Sequence, residues 1–324
     1  MKIGLFGCGA YGMAISSILI ENKCDVTMWT KFAAEKEQLE TTRQNEKLIP
    51  GFKLDESIKI TTSIKECIKS KDLLIIAIPA AFVDDLAIAM KPYIKDNHIL
   101  IATKGIEQDT GLFINQILEK HLDTTNIAVM SGPSFAVDLV TKMPAGLSLA
   151  SKKIKTRTLA KQALQNKYIK LRETRDVIGV EICGSIKNVI ALSAGMLDGL
   201  KANDSTKAMF LTEAMHDMEE ILESFGAMKR TVTSFSGLGD LFLTCSSTKS
   251  RNFSFGKILG ERRSKEEIDE YLKNTTVEGF YTLESIYKLL KNKKVTIPII
   301  DLIYDIAVEG EDPEKLLTFL VEKE

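Results

Sequence analysis

The first dozen residues constrain the fold more than any later stretch. Lys2–Phe6 is a short apolar run, and Gly7-Cys8-Gly9-Ala10-Tyr11-Gly12 follows it directly, opening an apolar helical segment that reaches about Asn22. A strand, a tight glycine turn and a helix in that order require a second parallel strand beside the first, because the helix must cross back over the sheet to bury its face. Residues 24–30 supply that strand. Residues 72–79 (DLLIIAIP), 99–103 and 127–130 repeat the buried-strand pattern, and residues 111–120 (GLFINQILEK) read as the helix between the last two. Apolar strands alternating with amphipathic helices predict an α/β Rossmann arrangement, a mainly parallel, doubly wound sheet covered on both faces.

After about Arg175 the pattern changes to long helical periodicities with few strand candidates. We therefore expect residues 1–175 to form a dinucleotide-binding domain and residues 176–324 an all-α substrate domain. The basic stretch 151–175 (beginning SKKIKTR) reads as a solvated helix and strand at the domain edge, with a phosphate or nucleic-acid patch as the sharper alternative. With a formal net charge of −1, the chain has no global attraction for nucleic acid or an anionic bilayer. Its five cysteines show no C-x-x-C spacing and its three histidines (His98, His121, His216) are scattered, so neither a disulfide framework nor a metal centre is expected. No apolar run is read as reaching the ~20 residues of a membrane span, and a strand beginning at residue 2 leaves no room for a signal peptide. A cytoplasmic protein without stable membrane insertion is the expectation.

The glycines each have a task in a dinucleotide site. Gly7 permits the turn, Gly9 lets backbone approach a pyrophosphate, and Gly12 allows close helix–strand packing. The helix that follows offers free N–H groups to the anion. NAD-selective sites usually carry an acidic residue near the end of the second strand, ~20 residues past the glycines. Here that place reads Met28-Trp29-Thr30-Lys31, with no carboxylate and with Lys31 positioned to meet a 2′-phosphate or simply to face solvent. NADP or NAD is expected, with a mild preference for NADPH.

Residues 181–195 (EICGSIKNVIALSAG) are apolar enough for a core helix yet contain Glu181, Lys187 and Asn188. At about 100° per residue, Glu181, Gly184, Ser185, Lys187, Asn188, Ala191, Ala194 and Gly195 share one polar or small face. Small residues beside a lysine suggest volume for something other than protein. A lysine snorkelling to solvent fits the periodicity equally well. Lys104 follows a buried strand at the sheet edge where open α/β folds bind ligands, though a solvated loop lysine is as compatible. Arg251 in TKSRN offers a fork of donors suited to phosphate, and a plain surface turn is the alternative.

Taken together, GCGAYG (7–12), TKGIE (103–107), SGPSFAVD (131–138), GVEICGSIKNVIALSAG (179–195), GLGDLFLTC (237–245), SRN (250–252) and VEGF (277–280) resemble, in order and over nearly the full length, the bacterial-type NAD(P)-dependent glycerol-3-phosphate dehydrogenases. The resemblance implies reversible hydride transfer between a nicotinamide cofactor and dihydroxyacetone phosphate or sn-glycerol 3-phosphate, feeding glycerophospholipid synthesis. It implies Lys187 as general acid/base, Asp240 as its carboxylate, and Lys104 as a group orienting the carbonyl or phosphate. Substrate would be held by Gly132, Ser134, Asn188, Thr244, Ser250, Arg251 and Asn252 together with Lys104, Lys187 and Asp240. Cofactor would meet Gly7, Gly9, Ala10, Tyr11, Gly12, Lys31, Lys104, Ala136 and Arg251, with Thr276 and Glu278 at its far end. A homodimer is also implied. The chain departs from the family pattern at Ala10, where a hydroxyl residue is common, at Glu213, where arginine is common, and at Ser205, where asparagine is usual. The rivals are another two-domain β-hydroxyacid or ketopantoate-type reductase, and a sensor that binds NAD(P)H without turnover.

Overall fold

The computed structural model describes residues 1–108 and 110–323. The chain forms two compact units: Met1–Lys104 with Ile114–Val177, and Gly105–Phe113 with the chain from Ile178 onward. The short excursion Gly105–Phe113 is a departure from one continuous N-terminal domain. Strand–helix alternation reads straight through it, because its Ile106 and Phe113 look like any other apolar positions between two strands.

The first unit is built on eight strands: β1 (Lys2–Phe6), β2 (Asp25–Trp29), β3 (Lys59–Thr61), β4 (Leu73–Ile76), β5 (Ile99–Ile101), β6 (Ile127–Ser131), β7 (Ala145–Ala150) and β8 (Ile169–Thr174). Their order is β3-β2-β1-β4-β5-β6-β7-β8. All neighbours run parallel except β6 and β7, which pair antiparallel, Met130 opposite Leu149. Between those two strands lies only the four-residue helix Ala136–Leu139, too little chain to carry a parallel crossover. Leu5 pairs with Met28 on one side and Ile75 on the other. Strand order thus reverses beside β1, and the crevice at the carboxyl ends of β1 and β4 is the topological switch point where such sheets bind ligands. Ile3, Leu5, Leu73, Ile75 and Leu100 are fully buried, each such side chain stabilising the fold by roughly 1.5–3 kcal/mol.

The second unit is helical. Val177–Gly199 is its central helix, surrounded by Asp204–Ser224, Asp240–Cys245, Arg251–Gly260 and Glu278–Lys293 among others. Contrary to the sequence reading, this helix has the length and apolarity of a membrane span, because its apolar residues outweigh Glu181 and Lys187, but 94% of its most apolar stretch is buried within the protein. It crosses Arg251–Gly260 with backbone against backbone. A Cβ at Gly195 would lie 2.0 Å from Phe253 O, and one at Gly256 would lie 1.9 Å from Leu192 O. Gly199 and Gly260, one turn further on each helix, are also closed off, at 2.5 and 2.1 Å. At Gly195 the stripe of small residues is therefore covered by main chain rather than open. At Gly195 and Gly199 the space is taken by the neighbouring helix, and Ser185 accepts a hydrogen bond from Gly105 N at 3.1 Å.

Candidate active site

In the first unit the residues after β1 form the turn the sequence predicts. Gly7 sits at φ +122°, where an L side chain is strained, and a Cβ there would meet Ala77 O at 2.4 Å. Gly12 lies as closely against Gly7 O, which brings the helix Ala10–Glu21 down onto the strand. Gly9 has nothing within 4 Å of its Cβ direction. It is also the residue before the helix, with no side chain capping the first-turn amides. An uncovered backbone at a helix N-terminus suits a pyrophosphate, and a side chain at Gly9 would fill that cradle. The residues present fit a dinucleotide.

Around this turn the structure joins four of the expected residues by hydrogen bonds. Tyr11 Oη lies 3.0 Å from Ser134 Oγ, Ser134 Oγ donates to Gly132 O at 2.9 Å, and Lys104 Nζ donates to the same carbonyl at 3.3 Å. Gly132 itself has φ +156°, and a Cβ there would press on Gly146 and Leu147. Ala136 begins the next short helix and packs on the sheet core. Ala10 and Tyr11 pack there too, so alanine at position 10 fills the first helical turn without adding a hydroxyl. At the end of β2, Lys31 is exposed. Reading only residues 28–31 misses one group: the Thr30 hydroxyl donates to the Glu35 carboxylate.

In the second unit Lys187, Asp240 and Thr244 converge in the interior. Lys187 Nζ donates to Asp240 Oδ1 at 2.6 Å and to Thr244 Oγ1 at 2.9 Å, while Thr244 Oγ1 donates to Asp240 O at 2.6 Å. All three residues are buried. Lys187 comes from the central helix, whereas Asp240 and Thr244 are one turn apart on Asp240–Cys245, so the two partners meet the ammonium from a single helical face. This is an ion pair rather than a snorkelling lysine. Cys245 beside it has its thiol pushed up to about 12, by burial above all and despite the Lys187 charge.

A second group surrounds the start of Glu278–Lys293. Asn188 Nδ2 donates to Glu278 Oε2 at 3.4 Å, Asn252 Oδ1 accepts from Gly279 N at 2.8 Å, and Arg251 lies 3.9 Å from Glu278. With its carbonyl oxygen taken, Asn252 is left with amide donors to offer. Arg251 is 56% exposed. Ser250 accepts from Phe253 N at 3.2 Å, which makes it the N-cap of Arg251–Gly260. Thr276 is exposed and takes no part in either group. Of the remaining departures, Ser205 is exposed on the first turn of Asp204–Ser224, and Glu213 faces Lys323 at 3.2 Å.

Two family descriptions match the chain: the NAD-dependent glycerol-3-phosphate dehydrogenase N-terminus over residues 2–157, and the C-terminus of the same enzymes over residues 176–318. A glycerol-3-phosphate dehydrogenase [NAD(P)+] of Agathobacter rectalis is 32% identical over 321 residues, covering 99% of this chain and 95% of the relative. The crystal structure of glycerol-3-phosphate dehydrogenase from Coxiella burnetii superposes with a TM-score of 0.93 at 28% identity, over 99% of each chain. A ketopantoate reductase from Ralstonia eutropha reaches a TM-score of 0.61 at 13% identity, over 98% of this chain and all of the other, a likeness of fold alone.

Proposed function

The chain belongs to the NAD-dependent glycerol-3-phosphate dehydrogenase family, and from that premise we propose that it catalyses the reversible reduction of dihydroxyacetone phosphate to sn-glycerol 3-phosphate, the backbone of glycerophospholipids. The observation that carries this reading is the buried Lys187 ammonium, held by Asp240 and Thr244 where a structural lysine would have reached water. A reduced nicotinamide dinucleotide, NADH or NADPH, supplies the hydride when bound. Gly7, Gly9 and Gly12 are the residues that would receive its pyrophosphate, with Tyr11 and Ala10 on the same turn.

Lys187 acts on the carbonyl oxygen. As negative charge develops there, the ammonium stabilises it and passes a proton to that oxygen, and in the reverse direction the amine takes the proton back. Asp240 balances the ammonium's charge and Thr244 fixes its direction, so little reorganisation is needed at the moment of reaction. Lys104, with its ammonium held by Gly132 O, orients substrate. Arg251 and the Asn252 amide provide the phosphate clamp, because a planar guanidinium and N–H donors match a dianion. Binding energy from that phosphate serves to place the carbonyl. A homodimer in the cytoplasm completes the reading, and sedimentation equilibrium tests the dimer.

The decisive experiment follows NADH and NADPH oxidation with dihydroxyacetone phosphate, unphosphorylated dihydroxyacetone and ketopantoate. Turnover with the first alone is expected. Turnover with ketopantoate would favour the rival reductase, and binding of NAD(P)H without turnover of any of the three would favour a sensor.

A further inference from the structure

The mild preference for NADPH rests on the absence of a carboxylate near the end of β2. In three dimensions a carboxylate is there. Thr30, the residue after β2, is buried and tied to β3 by its N–H to Thr61 O at 3.0 Å. Its hydroxyl accepts from Phe32 N at 3.2 Å, a donor with no other role to play, so the single hydroxyl proton goes to Glu35. Glu35 lies in the first turn of the helix Ala33–Thr42, five residues beyond the strand. One carboxylate oxygen is thereby fixed. The other, Oε1, makes no hydrogen bond among the described residues.

Three observations make that second oxygen a candidate for a ligand. The carboxylate is half-buried beside the strand end rather than out in solvent. Its charge reaches the glycine turn: the Cys8 thiol is raised first by burial and next by Glu35, while Cys8 Sγ itself donates to Trp29 O at the same strand end. Among the described residues it makes no ion pair: Lys31 is exposed, Lys36 pairs with Glu40 and Arg43 with Glu56. The space between the glycine turn and the end of the second strand is where a dinucleotide's adenosine ribose lies in this fold. A fixed acceptor in that space receives a ribose hydroxyl and opposes a phosphate in the same place. Lys31, an exposed ammonium on a long side chain, must first give up rotamer freedom to help a phosphate.

Resting on the dinucleotide reading above, we propose that Glu35, oriented by Thr30, is the residue that reads the adenosine ribose 2′ position and sets this enzyme for NADH over NADPH. The proposal runs opposite to the preference expected from residues 28–31, because it places the discriminating acid on the following helix rather than on the strand.

The test is calorimetric binding of ADP-ribose and 2′-phospho-ADP-ribose to the full-length protein, which needs no turnover. Native protein should bind ADP-ribose more tightly, by about tenfold to a hundredfold, the range of one charge-assisted contact. Glu35→Gln should weaken ADP-ribose and strengthen 2′-phospho-ADP-ribose until the two are within a few-fold. Thr30→Val, which releases the carboxylate without removing it, should move the ratio the same way but less. Lys31→Ala should leave the preference for ADP-ribose in place. If the native protein prefers 2′-phospho-ADP-ribose, or if Glu35→Gln binds both ligands with the native ratio, the proposal is overturned. If neither fragment binds while the protein is folded, the dinucleotide reading itself has failed, and the assignment to Glu35 falls with it.

Discussion

Lys187 Nζ donates to Asp240 Oδ1 across 2.6 Å, with side-chain exposures of only 7% and 1%. Removing two charges from water costs several kcal/mol per ion before their attraction is counted, and apolar replacements of similar volume are often neutral or stabilising. A pair so dry is therefore poorly explained by stability. Lys187→Met should cut kcat by ~10²–10⁴, the range for a positioned acid–base group. Dinucleotide binding should survive, since the glycine turn belongs to the other unit. Thermal stability should hold unless burial of the Asp240 carboxylate, no longer facing an ammonium, dominates, and the double variant Lys187→Met/Asp240→Asn removes that complication. Near-normal turnover in either protein would take Lys187 out of the chemistry.

Arg251 calls for a different measurement. Its guanidinium is more than half exposed and 3.9 Å from Glu278, a screened pair that contributes ~0–1 kcal/mol to folding. Arg251→Ala should leave the melting temperature within about 2 °C. It should raise KM for dihydroxyacetone phosphate and lower kcat/KM by about 2–4 kcal/mol, the scale of charge-assisted phosphate contacts. Unphosphorylated dihydroxyacetone, already a poor substrate, should be hardly affected. Equal losses with both substrates would move Arg251 from the phosphate to the fold.

Where the two helices cross, Gly256→Ala should unfold the second unit at markedly lower temperature. The added carbon meets Leu192 O at 1.9 Å, and main chain cannot swing aside as a side chain can. Overpacking costs ~1–3 kcal/mol where side chains yield and more where backbone must. Gly226→Ala is the control. Nothing lies within 4 Å there, but its φ of +70° leaves a smaller conformational cost. Similar losses in calorimetry for the two variants would show that the crossing tolerates separation.

Asp217 gives a pH-dependent expectation. Burial raises its carboxyl above the usual range although Lys323 Nζ lies 2.7 Å away. A folded-state value above the unfolded one means that protonation favours the folded state. That contribution is fully present below the unfolded value of ~3.9 and is lost as pH rises through the folded one. Asp217→Asn should therefore melt at the same temperature as the native protein or about 1–3 °C higher at pH 7. The difference should close toward pH 4. Lys323 keeps Glu213 at 3.2 Å as its partner. A large loss at pH 7 would show that the ion pair outweighs the burial of the carboxylate.

Much of this architecture can be read from residues alone. β1, the glycine turn and β2 are local patterns, and Lys187 stands out because a cation breaks an apolar periodicity. Other features depend on contacts that periodicity does not register. Ala145–Ala150 (AGLSLA) is too small and mixed in side chains to look like a strand, yet it pairs on both sides of the sheet. The close crossing at Gly195 and Gly256 puts main chain where the sequence at Gly195 reads as vacant. Glu35 escapes notice for a simpler reason: the side-chain contact with Thr30 spans a turn between two elements, where neither period applies. Asp240 is identified by its motif, but only packing shows that Thr244 shares the same ammonium.

The excursion of Gly105–Phe113 has a consequence for anyone who would cut this protein in two. Ile106 and Phe113 are buried in the helical core, with the Phe113 ring set edge-on against Phe225 at 5.6 Å, and Gly105 is tied to Ser185. A fragment ending at Val177 would keep this loop and lose everything that covers it. Two large apolar side chains would then face water on an otherwise finished sheet domain, an invitation to self-association. The complementary fragment would lack two core side chains and carry the holes they leave. Independent expression of either half should require the loop to be deleted from one and replaced in the other, so the boundary that looks natural along the chain is not where the molecule comes apart.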